Sequence, residues 1–209
     1  MMRRKLLIII FLIQAVSASA MMPDNWFFRN FRIGVEWGYS QCFYRGWSYN
    51  FISEEGSRFF DDTREMHFQA NGILLGEIGT NLHQDRFNLS FLSGYIGVGK
   101  NNQLIPMLLR FSFYPRTATE DGMVTFIQGG PALHIFPGDR ELAWLGTLGA
   151  GYRITLTDDC ALDLLAGFKF VYAHPLIPNP EGAGYVPRRN IRSNNAAYCA
   201  LDLTIAVSF

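Results

Sequence analysis

Eight stretches of this 209-residue chain alternate apolar residues with small or polar ones. A period of two sends successive side chains to opposite faces, so each stretch reads as a β-strand with one apolar face. The last stretch is the plainest. Leu201, Leu203, Ile205, Val207 and Phe209 share one face, and Ala200, Asp202, Thr204, Ala206 and Ser208 share the other. Chain ends are normally polar and frayed, yet this one stops on an aromatic residue within the alternation.

The pattern recurs upstream. Ile33, Val35, Trp37 and Tyr39 oppose Arg32, Gly34, Glu36 and Gly38, and from about Met66 to Thr80, Phe68, Leu74 and Ile78 oppose His67, Gln69 and Glu77. Phe87, Leu89 and Phe91 oppose Asn88 and Ser90, while Ile105, Met107, Leu109 and Phe111 oppose Arg110 and Ser112. Further on, Ile127 and Leu133 oppose Gln128 and His134, and Trp144, Leu148 and Tyr152 oppose Thr147, Gly149 and Arg153. In the seventh stretch Leu164, Phe168 and Phe170 oppose Asp163, Gly167 and Lys169. Aromatic residues gather on the apolar face and glycines on the other, as a lipid-facing exterior and a crowded narrow lumen require. The connections after the second, fourth and sixth stretches are short, and those after the first and seventh are long, at about 42–64 and 174–195. Those after the third and fifth are short as well.

The N-terminus has a different character. Arg3, Arg4 and Lys5 precede an apolar run from Leu6 to Ile13, and Ala18-Ser19-Ala20 offers small residues for cleavage. This is the layout of a secretory signal peptide over 1–20, leaving a single domain over 21–209. The apolar run is too short for a spanning helix, which needs about 20 residues. The 18 basic and 18 acidic residues balance, and removing 1–20 leaves 15 against 18, a net charge of −3. A nucleic-acid binder would show a basic face. With 18 Phe, 9 Tyr and 4 Trp, the full chain is aromatic-rich, and it has no helical span after residue 20. Together these features predict a transmembrane antiparallel up-and-down β-barrel of eight strands.

A barrel explains the chain end, because its last strand pairs with its first and no edge remains. Here the sequence resembles the small bacterial outer-membrane barrels, the OmpA membrane domain and OmpX. The resemblance implies an outer-membrane location with both termini periplasmic. It also implies that Leu203, Ile205, Val207 and Phe209 form the signal read by the barrel assembly machinery.

Strand parity places Arg32, Arg110, Arg153 and Lys169 in the lumen with Glu36, Glu77, Asp163 and Asp202. Unpaired buried charges are costly, and eight strands leave room only for side chains. A neutral structural plug is therefore expected, with a small gated pore as the other reading.

The first connection carries Tyr44, Trp47, Tyr49, Phe59 and Phe60, as contact candidates for a surface partner or as aromatics that pack together and extend strands 1 and 2. Arg188, Arg189 and Arg192 in the last connection are placed to bind lipopolysaccharide phosphates or simply to be solvated. His67, His134 and His174 fall near the external end, with Asp61, Asp62, Glu65, Asp139, Glu141 and Ser193 around them. The stretch "RRNIRSNNAAYCA" is similar to one in lipid A deacylases, but Ile191 stands where those enzymes place histidine. The sequence thus predicts a non-enzymatic structural or surface-recognition barrel that uses no cofactor or metal, with a lipid A acyl hydrolase or transferase as the alternative. Cys42 and Cys199 come near one another by strand pairing but point to opposite faces, which predicts free thiols.

Overall fold

The computed structural model describes residues 31–82, 85–99, 102–135, 142–157, 159–180, 182 and 184–209. The signal peptide and its cleavage point, together with Asp139 and Glu141, lie outside the described residues. Eight antiparallel strands, each bonded to its neighbours in chain order, close into a barrel. They are β1 Phe31–Ile52, β2 Arg58–Leu82, β3 Phe87–Gly99, β4 Asn102–Phe113, β5 Gly122–His134, β6 Ala143–Thr157, β7 Cys160–Ala173 and β8 Ile191–Ser208. The end where the chain terminates is called the lower end below.

Closure runs through the last residue. Gly34 pairs with Ser208, and beyond it Ile33 and Phe209 exchange both backbone hydrogen bonds, at 3.1 and 2.8 Å. The apolar faces turn outward on every strand, where Trp37, Leu74, Phe91, Leu109, Ile127, Leu148, Phe168 and Leu203 are exposed. Water would not tolerate such a belt on a monomer, whereas hydrocarbon requires it. Inside, glycines make room for bulk. A Cβ on Gly149 would lie 2.3 Å from the Phe126 ring, so only glycine admits that ring to the lumen.

Two boundaries correct the sequence reading. Residues 42–64 are not a loop: β1 continues to Ile52 and β2 starts at Arg58, joined by a short turn. Residues 174–195 shrink to 174–190, because β8 begins at Ile191. The extra length of β1, β2 and β8 stands above the ring. β1 pairs with β2 up to Ile52–Arg58 and with β8 up to Phe51–Ile191, while β3 meets β2 only from Ile73 downward. β1 also carries a register shift on both sides, between Cys42 and Tyr44. There the inward positions of β1 pass from even to odd numbers. Arg45, Trp47, Tyr49 and Phe51 therefore continue an interior face above the barrel.

Candidate functional site: the lumen and the sheet above it

The lumen is layered. At the lower end the β4–β5 turn folds into the barrel mouth and buries Tyr114 and Ala118 with Val124, Phe126, Leu165 and Ala206. Its backbone is held from the β2–β3 turn: the Tyr114 and Ala118 N–H groups donate to the carbonyls of Arg86 and Asp85, at 2.8 and 2.7 Å. The Ala118 carbonyl in turn accepts from Arg32 Nη2 (3.1 Å) and Arg153 Nη1 (2.8 Å). One peptide oxygen thus ties β1 to β6 across the floor. Burial pushes the Tyr114 phenol, in the turn beyond β4, up to about 12, so its ring meets Arg153 uncharged. The guanidinium lies 4.5 Å from that ring's centre. Sequence reading gives this turn only as a short connection. Ala118, a small residue between Thr117 and Thr119, carries no periodic signal that would mark it as buried.

The charges sit in and above this floor. Arg153 and Asp163 are register partners on β6 and β7 and bond in two places, at 2.7 and 2.5 Å. Arg110 reaches across the barrel to Glu36 at 2.5 Å, lies 3.6 Å from Glu77, donates to Gln128 at 2.8 Å and rests over the Phe126 ring. Lys169 is 1% exposed, with Asp202 at 3.0 Å and the Ser40 hydroxyl at 2.8 Å. Seven of the eight lumen charges named from sequence thus join three clusters. Arg32, the eighth, donates through Nη2 to a backbone carbonyl, and its buried Nη1 has no hydrogen-bond partner among the described residues.

Higher up the lumen turns apolar, which corrects the expectation of a polar interior throughout. Leu75, Leu92, Ile96, Leu104, Leu108, Leu145 and Val171 are buried inward with Cys42, Ala173 and Tyr198. Parity reading assigned apolar residues to lipid. It passed over strands such as β4, where Leu104 and Leu108 face inward while Ile105 and Leu109 face out. Both faces of a strand are apolar there, and alternation disappears.

Trp47 packs on this upper core and also on a separate cluster above the ring, where Phe51, Ile177 and Val186 are buried against Tyr49, Phe59 and Ile191. The Trp47 indole N–H donates to Asn194 (2.9 Å), whose amide donates to the Pro175 carbonyl (2.6 Å). Of the aromatic contact candidates, Trp47, Tyr49 and Phe59 therefore cover the mouth from inside. Phe60 projects outward, 65% exposed, and the Tyr44 ring lies along Gly46. Arg188 and Arg189 occupy a 3₁₀ turn leading into β8, and Arg192 is exposed just beyond it. Arg189 and Glu54 stand 3.9 Å apart and well exposed.

His67, His134 and His174, at the end opposite the chain terminus, are not brought together. His67 meets Gln69 at 3.0 Å and Glu65 at 3.6 Å, while His174 contacts the Asn194 carbonyl. His134 ends β5 opposite Leu104, and Ser193 is exposed on β8 opposite Asn50. Among the described residues no cluster of histidine, cysteine and acid is arranged for a metal. Cys42, Cys160 and Cys199 are free thiols; Cys42 is buried inward opposite Ala200, and Cys199 pairs with Tyr44.

No protein-family model and no curated protein matches the sequence. Among solved structures, the chain is similar to Neisserial surface protein A (NspA), at 11% identity over 85% of this chain and 95% of that one, with a TM-score of 0.45. It is also similar to the outer membrane protein OprG from Pseudomonas aeruginosa, at 11% identity over the same shares, with a TM-score of 0.46.

Proposed function

We propose that the chain is a non-enzymatic outer-membrane barrel whose lumen is closed and whose role is exercised at the cell surface by the sheet of β1, β2 and β8. The observation that carries this reading is the contrast between a filled interior and a projecting exterior. The upper lumen is packed with apolar side chains, and an aromatic cluster sits above it. Above the ring, Arg58–Gly72 of β2 has a strand partner on the β1 side only, and its outward face shows Phe60, Met66 and Phe68. Exposed apolar residues on a sheet edge mark a place where another molecule docks. Arg188, Arg189 and Arg192 stand at the same end, and lipopolysaccharide phosphates are the anions they would meet. The C-terminal alternation, Leu203 to Phe209, fits recognition by the barrel assembly machinery during insertion.

A photo-crosslinking residue at Phe60 or Phe68 tests the surface role in intact cells. Protein adducts are expected there and not at Leu148 on the lipid-facing exterior; equal patterns at the three sites would sink the reading. In planar bilayers the purified barrel is expected to give no large, stable conductance. Ser193→Ala and His134→Ala are expected to leave the host's lipid A acylation pattern unchanged by mass spectrometry, since none of the described histidines is placed against Ser193.

A further inference from the structure

Resting on the closed-lumen reading above, we propose that the β7–β8 connection is a lid on the upper lumen, latched by Asn194. Lifting it opens a polar layer inside the barrel to small solutes. The connection is folded on itself. The Val186 N–H donates to the Ile177 carbonyl (2.9 Å), the Asn179 N–H donates to the Gly184 carbonyl (3.0 Å), and Pro178 pairs with Tyr185. These backbone bonds lie within the connection, so it keeps them when it lifts. Among its described residues the buried ones are Ile177 and Val186, in one cluster with Phe51. Segments held by few buried apolar contacts are the ones that open locally.

Asn194 holds two covers at once. Its side-chain oxygen accepts from the Trp47 indole, and its amide donates to the Pro175 carbonyl at the stem of the lid. Trp47 packs on the cluster beneath the lid and on the upper core, which makes it the stopper under the lid. Pairing between β1 and β8 sets the order downward: Phe51 with Ile191, Trp47 with Ala196, Arg45 with Tyr198, then Cys42 with Ala200. The layer of Arg45 and Tyr198 is polar. Tyr198 crosses to the far wall, where its ring edge and the Asn102 side chain come within 3.8 and 4.0 Å of the point a Cβ on Gly99 would occupy. Asn102 is 3% exposed, and neither amide atom has a partner in hydrogen-bond geometry among the described residues, although the Tyr198 phenol is near. The buried Arg45 Nε has none either. A buried amide of this kind is satisfied by water or by a small polar solute that enters. The solute is uncharged, because Glu65 already neutralises Arg45 at 2.6 Å.

Cys42, buried just below the polar layer, is a reporter already in place. Cys160→Ser with Cys199→Ser leaves it as the one thiol of the chain. Hydroxyethyl methanethiosulfonate, a small uncharged thiol reagent, is added to the purified barrel and its reaction rate is read by intact mass. In this reference protein Cys42 is expected to react far more slowly than in the urea-unfolded chain. Asn194→Ala should raise the rate about tenfold, the effect of two lost hydrogen bonds on a local opening. Ile177→Ala with Val186→Ala should raise it as well, by unseating the lid. Asn194→Asp keeps the acceptor for Trp47 and loses the donor to Pro175, whereas Trp47→Phe loses only the indole bond. Each should raise the rate less than Asn194→Ala. Leu148→Ala, on the lipid-facing exterior of β6, should leave it unchanged. Heat-modifiable migration on gels shows which variants fold, and only folded variants are compared. A slow reference with equally slow lid and latch variants would overturn the lid alone. A reference as fast as the unfolded chain would overturn the closed lumen and the lid together.

Discussion

The lower and upper halves of the lumen fill the same narrow space by opposite means. Below, Arg153 with Asp163, Arg110 with Glu36 and Lys169 with Asp202 occupy it with charge. Above, Leu75, Leu92, Leu104 and Val171 occupy it with hydrocarbon. The charged half is directional. Each guanidinium is held at a fixed depth by particular oxygens, and removing one partner leaves a bare charge where water has little access. The apolar half is held by volume and burial, so a truncation leaves a void and no orphaned ion. Position is specified below by paired charge, and space is filled above by volume. The floor joins the two strategies, because the Ala118 carbonyl serves two arginines while its methyl group packs in an apolar cluster.

The largest expected effect of a single change is in the charged half. Asp163→Ala should cost about 3–5 kcal/mol, because Arg153 keeps its charge and loses both carboxylate bonds. Urea unfolding in detergent or lipid would measure it. Asp163→Ala combined with Arg153→Ala should recover part of that loss; a purely additive double mutant would mean that the pair is not coupled. Leu104→Ala, in the apolar half, should cost about 2–4 kcal/mol by the same assay, with no partner whose removal rescues it. A rescue there, or its absence below, would break the contrast between the halves. Smallest is Gln69→Ala on β2 above the ring, expected within about 0.5 kcal/mol of wild type. If it matched Asp163→Ala, the gradient from packed charge to the sheet above the ring would be mistaken.

The chain end gives a related test, on assembly more than stability. Phe209 exchanges two backbone bonds with Ile33, and its deletion removes them together with the terminal ring. The deletion should sharply reduce the folded, heat-modifiable form, while Ser208→Ala should leave it near wild type. Equal yields would argue that the final residue has no part in closing the barrel.

Much of this architecture was legible because a lipid-facing barrel writes one face of every strand in apolar letters. Alternation alone marked eight strands, their outward residues and the lumen side on which Arg153 and Asp163 lie. It also paired the first strand with the last. Legibility failed where both faces are apolar, as on β4 between Leu104 and Leu109. It failed as well where parity slips, as on β1 between Cys42 and Tyr44.

Period and composition, which are properties of neighbours in the chain, were enough to determine an eight-stranded barrel with an aromatic exterior and balanced lumen charge. The tertiary structure alone decided that β1 and β2 continue as a sheet above the ring, and that Trp47 and Tyr49 turn inward there. It also decided that Arg110 meets Glu36 across the barrel and that the β4–β5 turn forms its floor. Those outcomes depend on residues far apart in the chain. A register shift, a cross-barrel ion pair and a carbonyl shared by β1 and β6 arise only once the strands have closed and their depths are set.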